Sequence, residues 1–322
     1  MHPIRTLLAA FPLALGIAVP SWAQTLKASD THPAGYPTVV AVENMGKKLQ
    51  EATGGKLKVQ MFAGGVLGTE TEVVEQTQLG AVQIARISLG VVGPIVPDVN
   101  VFNLPYVFRD EAHMRQVVDG EIGQEILDKV TNSSFNLVAL GWMDGGTRHL
   151  YTKEPVRKAE DLKGMKIRMQ NNPVLLDTMS AMGGNGVAMS TGEIFSALQT
   201  GVIDGAENNP PTLLSHNHYQ ITKYFTQSGH LIIPELLVMS KASWNKLTPD
   251  QQALLKKVAR EAQLEQRELW NARVAQSNEK LKAAGVEFIE IDKTPFQQAT
   301  ASVREKHGAP YADLMKRIAA VQ

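Results

Sequence analysis

Three arginines stand where a positive charge needs a reason. Arg86 interrupts the strand-like run Gln83-Ile84-Ala85-Arg86-Ile87-Ser88, and a buried guanidinium is costly unless an acidic neighbour or an anionic ligand meets it. Arg168 ends the run Lys166-Ile167-Arg168, and Arg148 follows Gly145-Gly146-Thr147. A guanidinium presents a planar fork of donors that matches both oxygens of a carboxylate, stays charged, and desolvates more readily than an ammonium. Residue type leaves the bland alternatives open: an arginine ending a strand is commonly a surface charge, and Arg148 suits a salt bridge across a hinge. Polar groups accompany these cations. Asn208 donates and accepts at once, yet Asn208 and Asn209 precede Pro210-Pro211, where asparagine is a default cap or turn. Ser88 offers a hydroxyl. Glu70 lies in the first turn of a helix, where the dipole favours a carboxylate in any case, and it could accept hydroxyl protons. His32 and Tyr36 share the loop that begins Asp30-Thr31-His32-Pro33.

Other chemistries are poorly served. His216 and His218 suggest a metal, but two apart on a helix they point to different faces, and no third ligand stands near in sequence. There is no nucleophile elbow, no His-Glu-x-x-His motif and no glycine-rich phosphate loop, so neither a metal nor a cofactor is expected. The chain has no cysteine, which removes thiol catalysis, thiolate metal sites and a lipid-anchored cysteine. Lys plus Arg and Asp plus Glu both number 32, leaving no field to hold nucleic acid or an anionic membrane. Anion recognition must rest on individually placed cations.

The elements that position these residues alternate between helix and strand, which predicts an α/β architecture. Residues 1–23 read as a cleavable export signal, with Arg5, the apolar Leu7 to Val19, and Ser21-Trp22-Ala23 before a cut after Ala23. The roughly 300 residues that remain exceed what one core usually holds, so two domains are expected. Val39, Val42, Met45 and Leu49 sit at helical spacing before Gly54-Gly55, and Leu57, Val59 and Met61 alternate as a strand. Thr69 with Glu72 and Ser190 with Glu193 form capping-box patterns. Phe135 to Trp142 reads as a strand leading to a first crossing near Arg148, and Leu231 to Met239 as one strand returning. Thr248-Pro249-Asp250-Gln251 opens a helix that continues to about Ala284, about 50 Å long. It is too long for one small lobe and is expected to lean on both. The partition follows: 24–147 with 235–274 as lobe I, and 148–234 with 275–322 as lobe II.

Four segments carry a resemblance. They are Leu67-Gly68, Phe102-Asn103-Leu104-Pro105-Tyr106, Asp161-Leu162-Lys163-Gly164-Met165-Lys166-Ile167-Arg168, and the run Ala197 to Asn208 that contains Gln199-Thr200-Gly201-Val202-Ile203-Asp204-Gly205. In this order and spacing the chain resembles the solute-binding proteins of TRAP transporters, the DctP family, over essentially its whole mature length. The resemblance implies a two-lobed periplasmic binding protein fold with two crossover strands and a long C-terminal helix bracing both lobes. It implies a non-enzymatic function: capture of an organic acid in the cleft for delivery to integral membrane subunits, without insertion of this chain into the membrane. It implies that Arg168 grips the ligand carboxylate, that Arg148 is a second basic contact at the hinge, that Asn208 faces the cleft, and that the loop of His32 reaches the ligand. Where sialate-binding members carry an aromatic residue, this chain has Thr191 before Gly192-Glu193. The stretches Gly141 to Arg148 and Glu207 to Pro211 look like members that bind hexuronates such as glucuronate and galacturonate. The expected ligand is therefore a hexuronate. Another organic acid (a C4-dicarboxylate or a 2-oxo acid), an ABC-type or sensory role, and a secreted enzyme acting on acidic sugars are the alternatives.

Overall fold

The computed structural model describes residues 23–322; the export signal expected over residues 1–23 lies, apart from Ala23, outside the described residues. Two sheets organise the chain. The first has the order β2-β1-β3-β10-β4 and contains β1 (Gln24–Ser29), β2 (Leu57–Phe62), β3 (Ile84–Ser88), β4 (Leu137–Met143) and β10 (Glu235–Ser240). The second has the order β11-β9-β5-β8-β6-β7 and contains β5 (Thr147–Thr152), β6 (Lys166–Met169), β7 (Asn185–Ala188), β8 (Gly205–Asn208), β9 (Tyr224–Ile232) and β11 (Glu287–Ile289). Each sheet is parallel except around the strands that change lobe: β10 runs antiparallel to β3 and β4, and β5 antiparallel to β8 and β9.

The chain leaves the first sheet at Asp144-Gly145-Gly146 and returns at Ile233-Pro234. Sequence reasoning expected one continuous returning strand over Leu231 to Met239. The structure breaks it at Ile233-Pro234, because proline has no N–H to give a ladder. The two crossings lie side by side, with Met143 opposite Glu235 on one side and Thr147 opposite Ile232 on the other.

Local signals place the flanking helices as expected. In helix Pro37–Ala52, Val39, Val42, Met45 and Leu49 are buried on one face. Both capping boxes, Thr69 with Glu72 and Ser190 with Glu193, are formed. The long helix runs over Pro249–Ala283, capped by Thr248 and Gln251. It packs on helix Pro37–Ala52 and β4 of the first lobe and on helix Pro210–Ser215 of the second, so it does brace both.

Its grip on the hinge is specific. Gln266 accepts from the Asp144 amide at 2.9 Å and donates to the Asp144 carbonyl at 3.0 Å, replacing the ladder partners the crossing strand has lost. Asp144 is clasped further by Arg115 and Arg267. Gly146 has a φ of +69°, and a Cβ there would lie 2.4 Å from the Trp270 ring, so only glycine fits this turn beneath the helix. The final helix, Ala312–Ala320, comes back to the first lobe: Arg317 pairs with Glu125 at 2.7 Å, and His113 Nε2 bonds the Ile318 carbonyl at 2.9 Å.

Candidate functional site

Arg168 is carried by β6, whose alternation puts Ile167 and Met169 in the core and leaves Arg168 to line a cavity. The side chain is 2 % exposed. Its Nε donates to the Met189 carbonyl at 2.7 Å, while Nη1 is buried with no partner among the described residues. Burial pushes its pKa down, with Glu207 pulling in the other direction. A buried guanidinium donor aimed at no acceptor is expensive to keep, and the cavity beside it accounts for its direction. That cavity, about 290 Å3, lies between the lobes and is lined by Arg168, Gln170, Glu70, Thr69, Ser190 and Thr191 among others. It continues into a wider depression of about 500 Å3 that reaches Thr31, Pro33 and His216.

Arg86 is in a different situation. Of the two partners open to it from sequence, the described residues supply the acidic one: Nη1 meets Glu235 at 2.6 Å and Glu70 at 3.0 Å, and Nε and Nη2 both bond Asp30. Burial opposes the Arg86 charge, but Asp30, Glu235 and Glu70 outweigh it and hold the group firmly protonated. Three carboxylates around one cation leave an excess of negative charge. Burial pushes Glu235 up to about 7, Arg86 limiting the rise while Glu70 and Asp30 add to it. Asp30 stays below the usual carboxylate range because Arg86 and His32 overcome its burial. His32 bonds Asp30 through Nδ1 at 2.9 Å and stacks on Tyr36 at 3.8 Å, which pins the loop. Ser88 donates to Gln170 at 3.2 Å across the cleft, and its amide reaches Glu70 at 3.3 Å.

Arg148 also has its own partner. Its Nε and Nη2 fork onto the Glu207 carboxylate at 2.5 and 2.7 Å, and Nη1 donates to Asn208 Oδ1 at 3.2 Å. The salt bridge is made between β5 and β8 within the second sheet, not across the hinge. Both hydrogen bonds of the Asn208 side chain use its oxygen. Asn209 caps helix Pro210–Ser215, accepting from the Thr212 amide at 2.8 Å and donating to the Gly145 carbonyl at 2.7 Å.

One correction concerns the histidine pair. His216 and His218 do not point apart: Asn217 between them takes a left-handed conformation at φ 59°, the helix ends, and the rings lie 5.6 Å apart and nearly parallel. His218 bonds Tyr151 at 2.9 Å, and no cluster of three possible metal ligands occurs among the described residues.

The model of the family 7 bacterial extracellular solute-binding proteins, DctP, matches residues 28–310. The chain belongs to this family. It is accordingly a TRAP-type solute-binding protein and not an enzyme. A TRAP periplasmic solute binding protein from Pseudomonas putida F1, with bound D-glucuronate, is 72 % identical, covers 93 % of this chain and 98 % of its own, and superposes with a TM-score of 0.92. One from Xanthobacter autotrophicus Py2 with bound β-D-galacturonate is 40 % identical over 92 % of this chain and 100 % of its own, with a TM-score of 0.90. The Citrobacter koseri protein provides two conformations. With bound D-glucuronate it is 55 % identical over 93 % of this chain and 100 % of its own, at a TM-score of 0.92. Its apo, open form, 54 % identical over 92 % of this chain and 99 % of its own, scores 0.82.

The structure of this DctP-family chain thus matches the glucuronate-bound form more nearly than the apo, open one, and contacts join its two lobes. Ser88 reaches Gln170, Asn172 Nδ2 donates to the Gly90 carbonyl at 3.0 Å, and Tyr36 meets Thr212 at 3.1 Å. A Cβ on Gly90 would lie 1.8 Å from Gln170 Oε1, so the lobes approach closely there and a larger residue would have to displace the Gln170 side chain. Sequence reasoning missed Asp30, Gln170, Glu207 and Glu235. Gln170 had a signal, since it follows Arg168 by two and a strand places such residues on one face.

Burial in the fold keeps several histidines neutral. Burial pushes His32 down to about 4, and His218 and His230 down to about 3. Their folded pKa values lie below the unfolded 6.5, so the stability they contribute is present above pH 6.5 and lost as pH falls toward 4. Each costs about 1.4 kcal/mol per pH unit in that window. Glu235 acts oppositely, its contribution being present below about pH 4.5 and lost as pH rises to 7. Three histidines outweigh one carboxyl. Urea denaturation of the ligand-free protein is expected to show a net loss of several kcal/mol, roughly, between pH 7 and pH 5; equal stability at the two values would contradict neutral burial of these rings.

Proposed function

We propose that the protein captures a hexuronate, D-glucuronate or D-galacturonate, in the periplasm and hands it to the integral membrane subunits of a TRAP transporter. The observation that carries this reading is the buried Arg168 guanidinium, with one donor unmatched, in a polar cavity between the lobes. Arg168 takes the ligand carboxylate, Asn208 donates to a ligand oxygen, and Glu70 accepts from hydroxyls. Ser88 and Gln170 complete the polar wall. Arg148 and Arg86 stand beside the ligand with their own carboxylates, while His32 and Asn209 hold the loop and the helix that frame it. Relatives that hold D-glucuronate or galacturonate at 72 % and 40 % identity support the ligand class. Lobe I (24–147, 235–274) and lobe II (148–234, 275–322) move about the two crossings, with the last helix reaching back to lobe I. Export with cleavage after Ala23 and transfer to membrane subunits complete the role; no helix among the described residues is long and apolar enough to cross a membrane.

Thermal denaturation tests this against a panel of uronates, C4-dicarboxylates and 2-oxo acids. A ligand at about 100 times its Kd adds about 2.7 kcal/mol, which for a chain of this size raises Tm by roughly 5 °C. No response to either uronate, with a clear shift from a C4-dicarboxylate, would reject the uronate reading.

A further inference from the structure

We infer that the cleft is a charge filter that admits one carboxylate and excludes two, with Glu70 as the residue that enforces the limit. This rests on the reading of Arg168 as the carboxylate clamp and specifies what the rest of the cavity refuses. Of Arg86, Arg148 and Arg168, only Arg168 lines the cavity, and the three are paired differently. Every nitrogen of the Arg86 guanidinium is bonded, to Asp30, Glu235, Glu70 and His32. Every nitrogen of the Arg148 guanidinium is bonded, to Glu207 and Asn208. Among these three arginines only Arg168 keeps a buried donor without a partner. A first carboxylate finds a free cation; a second finds none.

The opposite wall goes further than neutrality. Glu70 lines the same cavity as Arg168, its side chain is 10 % exposed, and it belongs to a group of three carboxylates that share Arg86. In this partly buried cleft a ligand carboxylate set against Glu70 meets like-charge repulsion that solvent screens less than at an open surface, whereas a hydroxyl there donates to it. The same group thus rewards a polyhydroxy monoanion and penalises a dianion, which is specificity by repulsion as much as by attraction.

The test compares D-glucuronate with D-glucarate, the same six-carbon skeleton bearing a second carboxylate in place of the aldehyde carbon, by titration calorimetry at pH 7.5 on the wild type and on Glu70→Gln. The wild type is expected to favour glucuronate by about 100-fold or more. In Glu70→Gln, which keeps an acceptor for Arg86 and Ser88, glucuronate should weaken by less than about tenfold. The preference over glucarate should narrow by at least about tenfold, which corresponds to about 1.4 kcal/mol for the removal of one like-charge contact. Glucarate is open-chain, but any penalty of shape is shared by both proteins and cancels in the ratio of ratios. An unchanged preference in Glu70→Gln, with glucuronate still bound, overturns the filter and leaves the uronate reading standing. Wild-type protein that binds glucarate as tightly as glucuronate does the same without the variant, should that fail to fold. Wild-type protein that binds neither acid overturns the uronate reading and the filter with it.

Discussion

Arg168→Met is expected to raise the Kd for the captured uronate by roughly 30- to 4,000-fold, corresponding to about 2–5 kcal/mol for truncating one partner of a buried charge-assisted pair, without lowering the Tm of the ligand-free protein. The two halves of the result come from one cause. In the folded protein the guanidinium has been taken from water and given a carbonyl, Met189, but no carboxylate, so its removal relieves a desolvation cost instead of breaking an ion pair. Methionine retains an unbranched apolar stem of similar length. Arg168→Lys keeps the charge but loses the fork, and should fall between the two. Calorimetry and thermal denaturation of the three proteins decide the matter. An unchanged Kd in Arg168→Met would remove the residue from the site, and a large drop in ligand-free Tm would show that its role is structural.

The opposite pattern is expected at Glu207. Glu207→Ala should destabilise the ligand-free protein by about 3–5 kcal/mol, because it strands Arg148 as a buried cation whose Nε and Nη2 lose both carboxylate oxygens. The double variant Arg148→Met, Glu207→Leu should recover most of that loss, since a buried ion pair replaced whole by apolar side chains is often close to neutral. Urea denaturation of the two singles and the double forms a cycle that isolates the pair. A cost below about 1 kcal/mol for Glu207→Ala would mean that the two groups are not interdependent in the fold. Arg148 and Arg168 are thus the same residue type in one sheet, with opposite signs in their effect on the unliganded protein.

Much of the framework follows from short-range rules. The long helix was legible at both ends, from Thr248, Pro249 and Gln251 to the glycine after Ala284, and both capping boxes formed where their residues stood. These are interactions over three or four residues, which a sequence contains in full. Local patterning failed where a single residue altered the backbone. Pro234 divided an apolar run that otherwise reads as one strand, and Asn217, by turning left-handed, swung His216 and His218 onto the same side.

The sequence by itself determined that the protein is an α/β chain crossed twice between lobes, that it can recognise an anion only through individual cations, and that Arg86, Arg148 and Arg168 are the cations to explain. Only the tertiary structure decided what each of them is for. Glu207 lies 59 residues from Arg148 and Glu235 lies 149 from Arg86, and nothing in either neighbourhood states that they will meet. Ion pairing depends on separation in space inside a region stripped of water, and that separation is set by strand order: β5 beside β8, and β3 beside β10. The same order leaves Arg168 facing the cleft without a carboxylate, and so distinguishes the one arginine prepared for a ligand from the two already neutralised within the protein.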